Sequence, residues 1–264
     1  MQWGLRNRLS QIINPATGRT VMLAVDHGYF LGPTSGLEEP GRTIQPLLQY
    51  ADAVMPTRGV LRNCFEPTIG TPVVLRVSGG QSILKELSQE AITTSMEEAL
   101  RLNASAVAVS IYVGGEYEHQ TLVNLARTVD EAERWGMPVL AVTAVGKEMA
   151  RDARYLSLAT RIAAELGAHF VKTYYCEGFE RVSGTATVPV VIAGGKKVPE
   201  KDALELTYKA VQSGAAGVDM GRNIFQSEDP VAMIQAVRAV VQEGASAQKA
   251  YKLFQSLKRK RGRK

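Results

Sequence analysis

Ala168-His169-Phe170-Val171-Lys172-Thr173-Tyr174-Tyr175 reads as a buried strand that carries one lysine, Lys172, to its C-terminal end. Phe170 and Val171 suit a strand, and lysine is among the residues least often buried. Two roles fit a lysine in such a run. The commoner is a strand-end ammonium paired with a carboxylate. The sharper is a desolvated amine that attacks a carbonyl, since burial favours the neutral form.

Seven further apolar runs of strand length surround this one in the chain: Val21 to Val25, Ala51 to Met55, Val73 to Val77, Ala106 to Ser110, Pro138 to Val142, Val188 to Ala193 and Ala216 to Met220. Each is apolar throughout rather than alternating, as parallel strands covered on both faces are. Helical segments lie between them. Ser95-Met96-Glu97-Glu98 has capping-box spacing and predicts a helix to Leu102, and Leu122, Leu125, Ala126, Val129 and Ala132 recur at helical spacing up to Trp135 and Gly136. Thr43 to Tyr50, Tyr155 to Leu166, a segment from Pro199 to Gly214, and one opened by Asp229-Pro230 complete the set, while Tyr29 to Gly41 reads as a long loop. Eight strands with right-handed crossovers predict an α/β fold, a single (β/α)8 TIM barrel over residues 1–245, for which 264 residues suffice. A doubly wound sheet is the alternative. No GxGxxG follows the first strand, which argues against a dinucleotide-binding sheet.

No apolar run is long enough to span a membrane, and the first ten residues lack a signal-peptide core, so a cytoplasmic protein without membrane attachment is expected. Two cysteines, Cys64 and Cys176, make a disulfide framework or a cysteine-rich zinc site unexpected. The three histidines lack metal-binding spacing, and no metal or permanently bound cofactor is expected. Of the net charge of +5, six positive charges stand in the last seven residues, Lys258 to Lys264, and setting these aside takes +5 to −1. Residues 246–264 are therefore read as a C-terminal helix with a basic, disordered tail. Such an end is more often solvated than a nucleic-acid contact.

In a barrel the chemistry sits at the C-terminal strand ends. There the sequence places Asp26 and His27 after strand one, Glu116 and His119 after strand four, Lys172 on strand six, Gly194-Gly195 after strand seven and Gly221-Arg222 after strand eight. Loops seven and eight commonly hold a phosphate, and glycines let backbone N–H groups approach one. Asn223-Ile224-Phe225 is read as a short helix beside them, and turn glycines are the plainer alternative. Asp26 is either a turn carboxylate or an acid–base group. His27 and His119 are each either structural or catalytic. Cys176 is read as a small buried hydrophobe.

Asp26-His27-Gly28, Lys172-Thr173-Tyr174-Tyr175, Ala193-Gly194-Gly195 and Gly221-Arg222-Asn223 together resemble the class I aldolases of archaeal type, a family of Schiff-base-forming (β/α)8 barrels. The resemblance runs from about Trp3 to Val241, and Val21 to Pro33, Glu116 to Gln120, Leu158 to Glu165, Val191 to Lys197 and Gly217 to Ser227 are similar to a thiolase-like branch. It implies that Lys172 forms the Schiff base, that Asp26 is an active-site carboxylate, and that Gly194, Gly195, Gly221 and Arg222 hold a substrate phosphate. Aldolases of the family carry a tyrosine acid–base just after strand five. Here Val142-Thr143-Ala144-Val145-Gly146-Lys147 has none, which favours a thiolase with coenzyme A as co-substrate over a sugar-phosphate aldolase such as one for fructose 1,6-bisphosphate. On that reading Asp26 with His119 or His27 moves protons, and Lys147 is a candidate contact for a coenzyme A phosphate. The resemblance also implies a ring-based homo-oligomer, often a decamer. A non-catalytic phosphate or nucleic-acid binder is the remaining alternative.

Overall fold

The computed structural model describes residues 3–144 and 151–261. Its central strands are β1 Thr20–Ala24, β2 Ala53–Met55, β3 Val74–Arg76, β4 Ala106–Ile111, β5 Val139–Thr143, β6 Phe170–Tyr174, β7 Val190–Ala193 and β8 Gly217–Met220. Seven parallel pairings link them in one sheet running β2-β1-β8-β7-β6-β5-β4-β3. Parallel bridges Val54 to Val73 and Thr57 to Arg76 join the two ends, and Arg76 N donates to Pro56 O at 2.9 Å. The sheet is thereby closed as a barrel, and the predicted fold class holds. In this ring β3 and β4 stand four strands away from β7 and β8, across the mouth.

Side-chain parity divides the strand residues in two. Val21, Leu23, Val54, Leu75, Val107, Val109, Val139, Val171, Ile192 and Val218 face outward and join the core beneath the helices. Met22, Ala24, Ala53, Met55, Val74, Ala106, Ala108, Leu140 and Phe170 face inward and fill the barrel's lower half, where Ile12 and Ile13 pack beneath them. Ile12 ends the helix Trp3–Ile12, which the sequence reading did not anticipate. Its apolar residues are few, and their partners are remote in sequence.

The capping-box helix runs Met96–Arg101, with Ser95 Oγ accepting from Glu98 N at 3.2 Å, a contact worth about 1 kcal/mol. Asp229 caps Pro230–Glu243 as expected, accepting from Ala232 N at 3.0 Å. The expected loop Tyr29–Gly41 contains the turn Gly28–Leu31 and the start of the helix Pro40–Leu48. Two short helices, Arg58–Cys64 and Phe179–Thr185, were also unanticipated, as was an antiparallel ribbon of Ser78–Gly79 with Ala91–Ile92 on the loop after β3.

The expected disorder at the C-terminus does not hold from Lys258 to Arg261, which continue the helix Ala247–Arg261. Ala247, Ala250 and Phe254 are buried under that helix, and Lys258 is paired with Glu228, so docking offsets the repulsion among its cations. Among the described residues no helix is long and apolar enough to cross a membrane.

Candidate active site

Two residues above the inward apolar layer, the barrel interior turns polar. Val74 is followed at the same parity by Arg76, Ala108 by Ser110, Phe170 by Lys172, and Gly217 by Asp219. The parallel register sets Lys172 beside Val142 of β5 and Val191 of β7, and Asp219 beside Ala193 of β7 and Met22 of β1. These side chains form the floor of a cavity of about 250 Å³ at the C-terminal ends of the strands.

Lys172 Nζ lies 2.8 Å from Asp219 Oδ2, and both residues are buried, at 8% and 1% exposure. Burial pushes the Asp219 carboxyl above its usual range, and the Lys172 ammonium only partly opposes that. Asp219 Oδ1 has no hydrogen-bond partner among the described residues.

Asp26 is held differently. Arg76 reaches its Oδ2 through Nε at 2.9 Å and Nη2 at 2.8 Å. Burial alone would raise the Asp26 carboxyl. The charges of Arg76, Lys172 and His27 outweigh it and leave Asp26 below the usual carboxylate range. The guanidinium is lifted too. Burial disfavours its charge, but Tyr29, Asp26 and Glu90 prevail. Arg76 Nη1 also donates to Ser110 Oγ at 2.6 Å. Two buried carboxyls are thus driven apart, one fixed as an anion and one eased toward the acid.

His27 Nδ1 lies 3.9 Å from Asp26 Oδ1 and has no hydrogen-bond partner among the described residues. Its ring meets Phe225 edge-on at 5.7 Å. Burial lowers its pKa to about 4, the neighbouring cations Lys172, Arg222 and Arg76 add to that, and Asp26 opposes it, so the imidazole is neutral at pH 7.

The loops after β7 and β8 meet through Asn223. This fully buried amide donates from Nδ2 to Gly194 O at 2.6 Å and accepts at Oδ1 from Val198 N at 2.8 Å. Both loops require glycine for space. A Cβ on Gly194 would lie 2.5 Å from Met220 Cγ, and one on Gly221 would lie 2.4 Å from Ala24 O and 2.6 Å from His27 Cε1. Arg222 lines the same cavity, and its Nε is buried without a hydrogen-bond partner among the described residues. The short helix expected at Asn223-Ile224-Phe225 spans Arg222–Phe225.

Of the residues singled out in the sequence, Lys172, His27, Gly194, Gly195, Gly221 and Arg222 line this cavity, and Asp26 is bonded beside it to Arg76. His119 is not brought there. The turn after β4 carries it to the second position of the helix Glu118–Trp135, where it is exposed, as is Glu116. Lys147 lies outside the described residues. Cys176 is buried in the core, which raises its thiol pKa. Arg76, Ser110 and Asp219 were missed. Their signal was present, a lone polar residue at inward parity within an apolar run. Arg151, whose guanidinium lies 3.8 Å over the Tyr174 ring at the rim, carried no such signal.

Three kinds of similarity bear on this site. Residues 20–227 match the model of the DeoC/LacD family aldolases. The chain is 60% identical to a 3-hydroxy-5-phosphonooxypentane-2,4-dione thiolase of Photorhabdus laumondii, over 98% of this chain and 89% of that one. It is 58% identical to the protein of that name in Escherichia coli K12, with the same coverage. Among solved structures it is similar to an archaeal fructose-1,6-bisphosphate aldolase whose catalytic lysine is covalently bound to the carbinolamine intermediate of its substrate. That likeness has a TM-score of 0.79 and 28% identity, covering 90% of this chain and 99% of the other. A family model that spans most of the barrel, and near-full-length relatives at this identity, place the chain in the DeoC/LacD family of aldolases.

Proposed function

We propose that the chain is a thiolase that cleaves 3-hydroxy-5-phosphonooxypentane-2,4-dione, the substrate in its relatives' name, using coenzyme A as co-substrate and a Schiff base on Lys172. The observation that carries this reading is a buried lysine 2.8 Å from a buried carboxyl, at the mouth of a barrel whose neighbouring loops are rich in glycine.

The substrate phosphate lies against Gly194, Gly195, Gly221 and Arg222, where backbone N–H groups can approach and the Arg222 Nε donor is without a partner among the described residues. Lys172 Nζ then meets the carbonyl nearest the phosphate. It must lose a proton to attack, and Asp219 is placed to take that proton and return it as the carbinolamine loses water. Asp219 thus replaces Asp26 as the proton carrier, while Asp26 stays ionised and keeps Arg76 in place. The coenzyme A thiolate adds to the acetyl carbonyl. The bond between that carbon and the hydroxyl-bearing carbon breaks, acetyl-CoA leaves, and the iminium accepts the electron pair as an enamine. Protonation of the enamine carbon and hydrolysis free dihydroxyacetone phosphate and regenerate Lys172. His27, neutral at pH 7, serves as an acceptor in these transfers rather than an acid. His119 has no part in them.

Sodium borohydride reduction in the presence of the phosphorylated diketone tests the mechanism. An adduct on the peptide bearing Lys172, together with acetyl-CoA formed only when coenzyme A is present, is expected. A Lys172→Ala variant that keeps full activity refutes it, and sugar-phosphate cleavage without coenzyme A would restore the aldolase alternative. We also place the protein in the cytoplasm as a homo-oligomer. Light scattering at a monomer's mass would refute the oligomer.

A further inference from the structure

The loop between β3 and β4 carries a carboxylate, Glu90, at 2% exposure beside the ribbon strand Ala91–Ile92. A buried carboxylate needs donors, and this one has four. Ser78 Oγ donates to Oε2 at 2.5 Å, while Gln81 Nε2, Tyr29 OH and Tyr112 OH approach Oε1 at 2.6, 2.7 and 3.4 Å. Asn124 Nδ2 fixes the backbone by donating to Glu90 O at 2.9 Å. Ser78 passes the constraint on. Its Oγ accepts from Ser110 N at 3.0 Å and lies 3.5 Å from Arg76 Nη1. The Arg76 guanidinium in turn sits 5.2 Å from the Tyr29 ring centroid.

Tyr29 reaches Glu90 and Arg76 from the turn Gly28–Leu31 after β1, and the other groups that Glu90 holds share one side of the mouth. Arg76 belongs to β3, and Ser110 and Tyr112 come at and just after the end of β4. These strands stand across the ring from β7 and β8, whose loops hold the glycines and Arg222. Tyr29, Tyr112, Arg76 and Ser110 all line the cavity. A substrate anchored by its phosphate at the glycine loops and joined to Lys172 on β6 projects its other end onto this wall.

We propose that Glu90 is a positioning residue for the end of the substrate remote from the phosphate. It holds Tyr29, Tyr112 and, through Ser78, Arg76 as a polar wall: with the phenol protons turned to Glu90, the two tyrosine oxygens accept from the hydroxyl of a phosphorylated hydroxy-diketone, and the remaining Arg76 Nη2 N–H donates to its acetyl oxygen. This rests on the thiolase reading above. Burial and the Glu90 charge raise the phenols of Tyr29 and Tyr112 above their usual value, although Arg76 opposes this, so both stay protonated toward Glu90 across the working pH range. The oxyanion formed when thiolate adds to the acetyl carbonyl faces the Arg76 guanidinium, which Asp26, Ser110 and Ser78 hold in place before charge develops.

Glu90→Gln keeps the shape and removes the charge. Two probes separate the two ends of the site. Dihydroxyacetone phosphate has the phosphate and the carbonyl but no acetyl end, whereas the diketone has both. With borohydride, the variant is expected to trap dihydroxyacetone phosphate on Lys172 within about twofold of the wild-type rate. Its kcat for thiolysis of the diketone is expected to fall about tenfold to a hundredfold, with a smaller change in KM, because the groups of this wall are misplaced rather than lost. Tyr112→Phe is expected to shift in the same direction by less. A thiolysis kcat within twofold of wild type overturns the proposal. So does a parallel fall in trapping, thiolysis and melting temperature, which would make Glu90 a structural group only. Failure of the wild-type protein to trap either probe defeats the Schiff-base reading, and this proposal with it.

Discussion

His27 makes stability depend on pH in a way that can be worked out from its surroundings. Burial, with the cations Lys172, Arg222 and Arg76 nearby, lowers its folded pKa from 6.5 to about 4. Between those values the unfolded chain binds a proton at this position that the folded chain refuses, so stability rises with pH across that window and is lost as pH falls from about 6.5 toward 4. At about 1.36 kcal/mol per pH unit the full effect is about 3 kcal/mol, of which about 2 kcal/mol falls between pH 7 and pH 4.5. His27→Gln removes the titration and keeps a polar group of similar reach. Asp219 pulls the other way. Its raised folded pKa gives stability that is fully present below the unfolded carboxyl pKa and fades as pH rises through the folded one. That contribution is common to both proteins and cancels in their difference. Urea unfolding followed by circular dichroism at pH 7 and pH 4.5 is expected to show wild type losing about 2 kcal/mol more than His27→Gln. Equal losses in the two proteins, or an imidazole that titrates near pH 6.5 by NMR, would refute this picture of the site's electrostatics.

Asp219→Asn removes the proton partner 2.8 Å from Lys172 Nζ, and borohydride trapping of the phosphorylated substrate is expected to slow by about a hundredfold or more, measured by mass spectrometry of the Lys172 peptide. Asp26→Asn leaves the buried Arg76 guanidinium without its counter-ion, and urea unfolding at pH 7 is expected to show a loss of about 3–5 kcal/mol. In wild type the Asp26 contribution is present above the unfolded carboxyl pKa and disappears as pH falls through the lower folded value, so the difference between the two proteins should shrink in strong acid. Phe254→Ala empties the buried contact under the C-terminal helix and is expected to lower stability by about 3 kcal/mol in the same assay, with a protease cutting first beyond Gly244.

The barrel was legible because its eight strands are short, mostly apolar runs without regular alternation, as a parallel sheet covered on both faces produces, with Arg76, Lys172 and Asp219 as the polar exceptions. Much of the site was legible for a related reason. Chemistry collects at the C-terminal strand ends, and Lys172, His27 and the glycine pairs stand there in the sequence. What failed depended on direction rather than position. His119 belongs to the loop after a strand end, as His27 does, yet the helix Glu118–Trp135 starts beneath it and faces it to solvent. Glu90 sits in a polar loop whose fold is decided by Tyr29, Tyr112 and Asn124, partners 61, 22 and 34 residues away, and no local pattern announces such contacts. The C-terminal basic run was misjudged because its charge pointed to solvent, while the residues that decide its structure, Ala250 and Phe254, precede it.

Lys172 presented two readings that looked exclusive, an ion-paired strand end or a reactive amine. In the proposed mechanism they are one. The partner is Asp219, a residue the sequence hid in the middle of β8, and its burial at 1% exposure makes it a reluctant anion. A lysine paired with an exposed carboxylate would be held as an ammonium with no route to neutrality. A lysine alone in an apolar site would lose its charge but have nothing to return the proton when a carbinolamine must shed water. Pairing with a carboxyl eased toward its acid form offers both, since one proton can pass either way over 2.8 Å without solvent. Asp26 would not serve, because Arg76 holds it as an anion. The difference between the two aspartates therefore lies in which of them has a guanidinium, and moving that partner should move the chemistry with it.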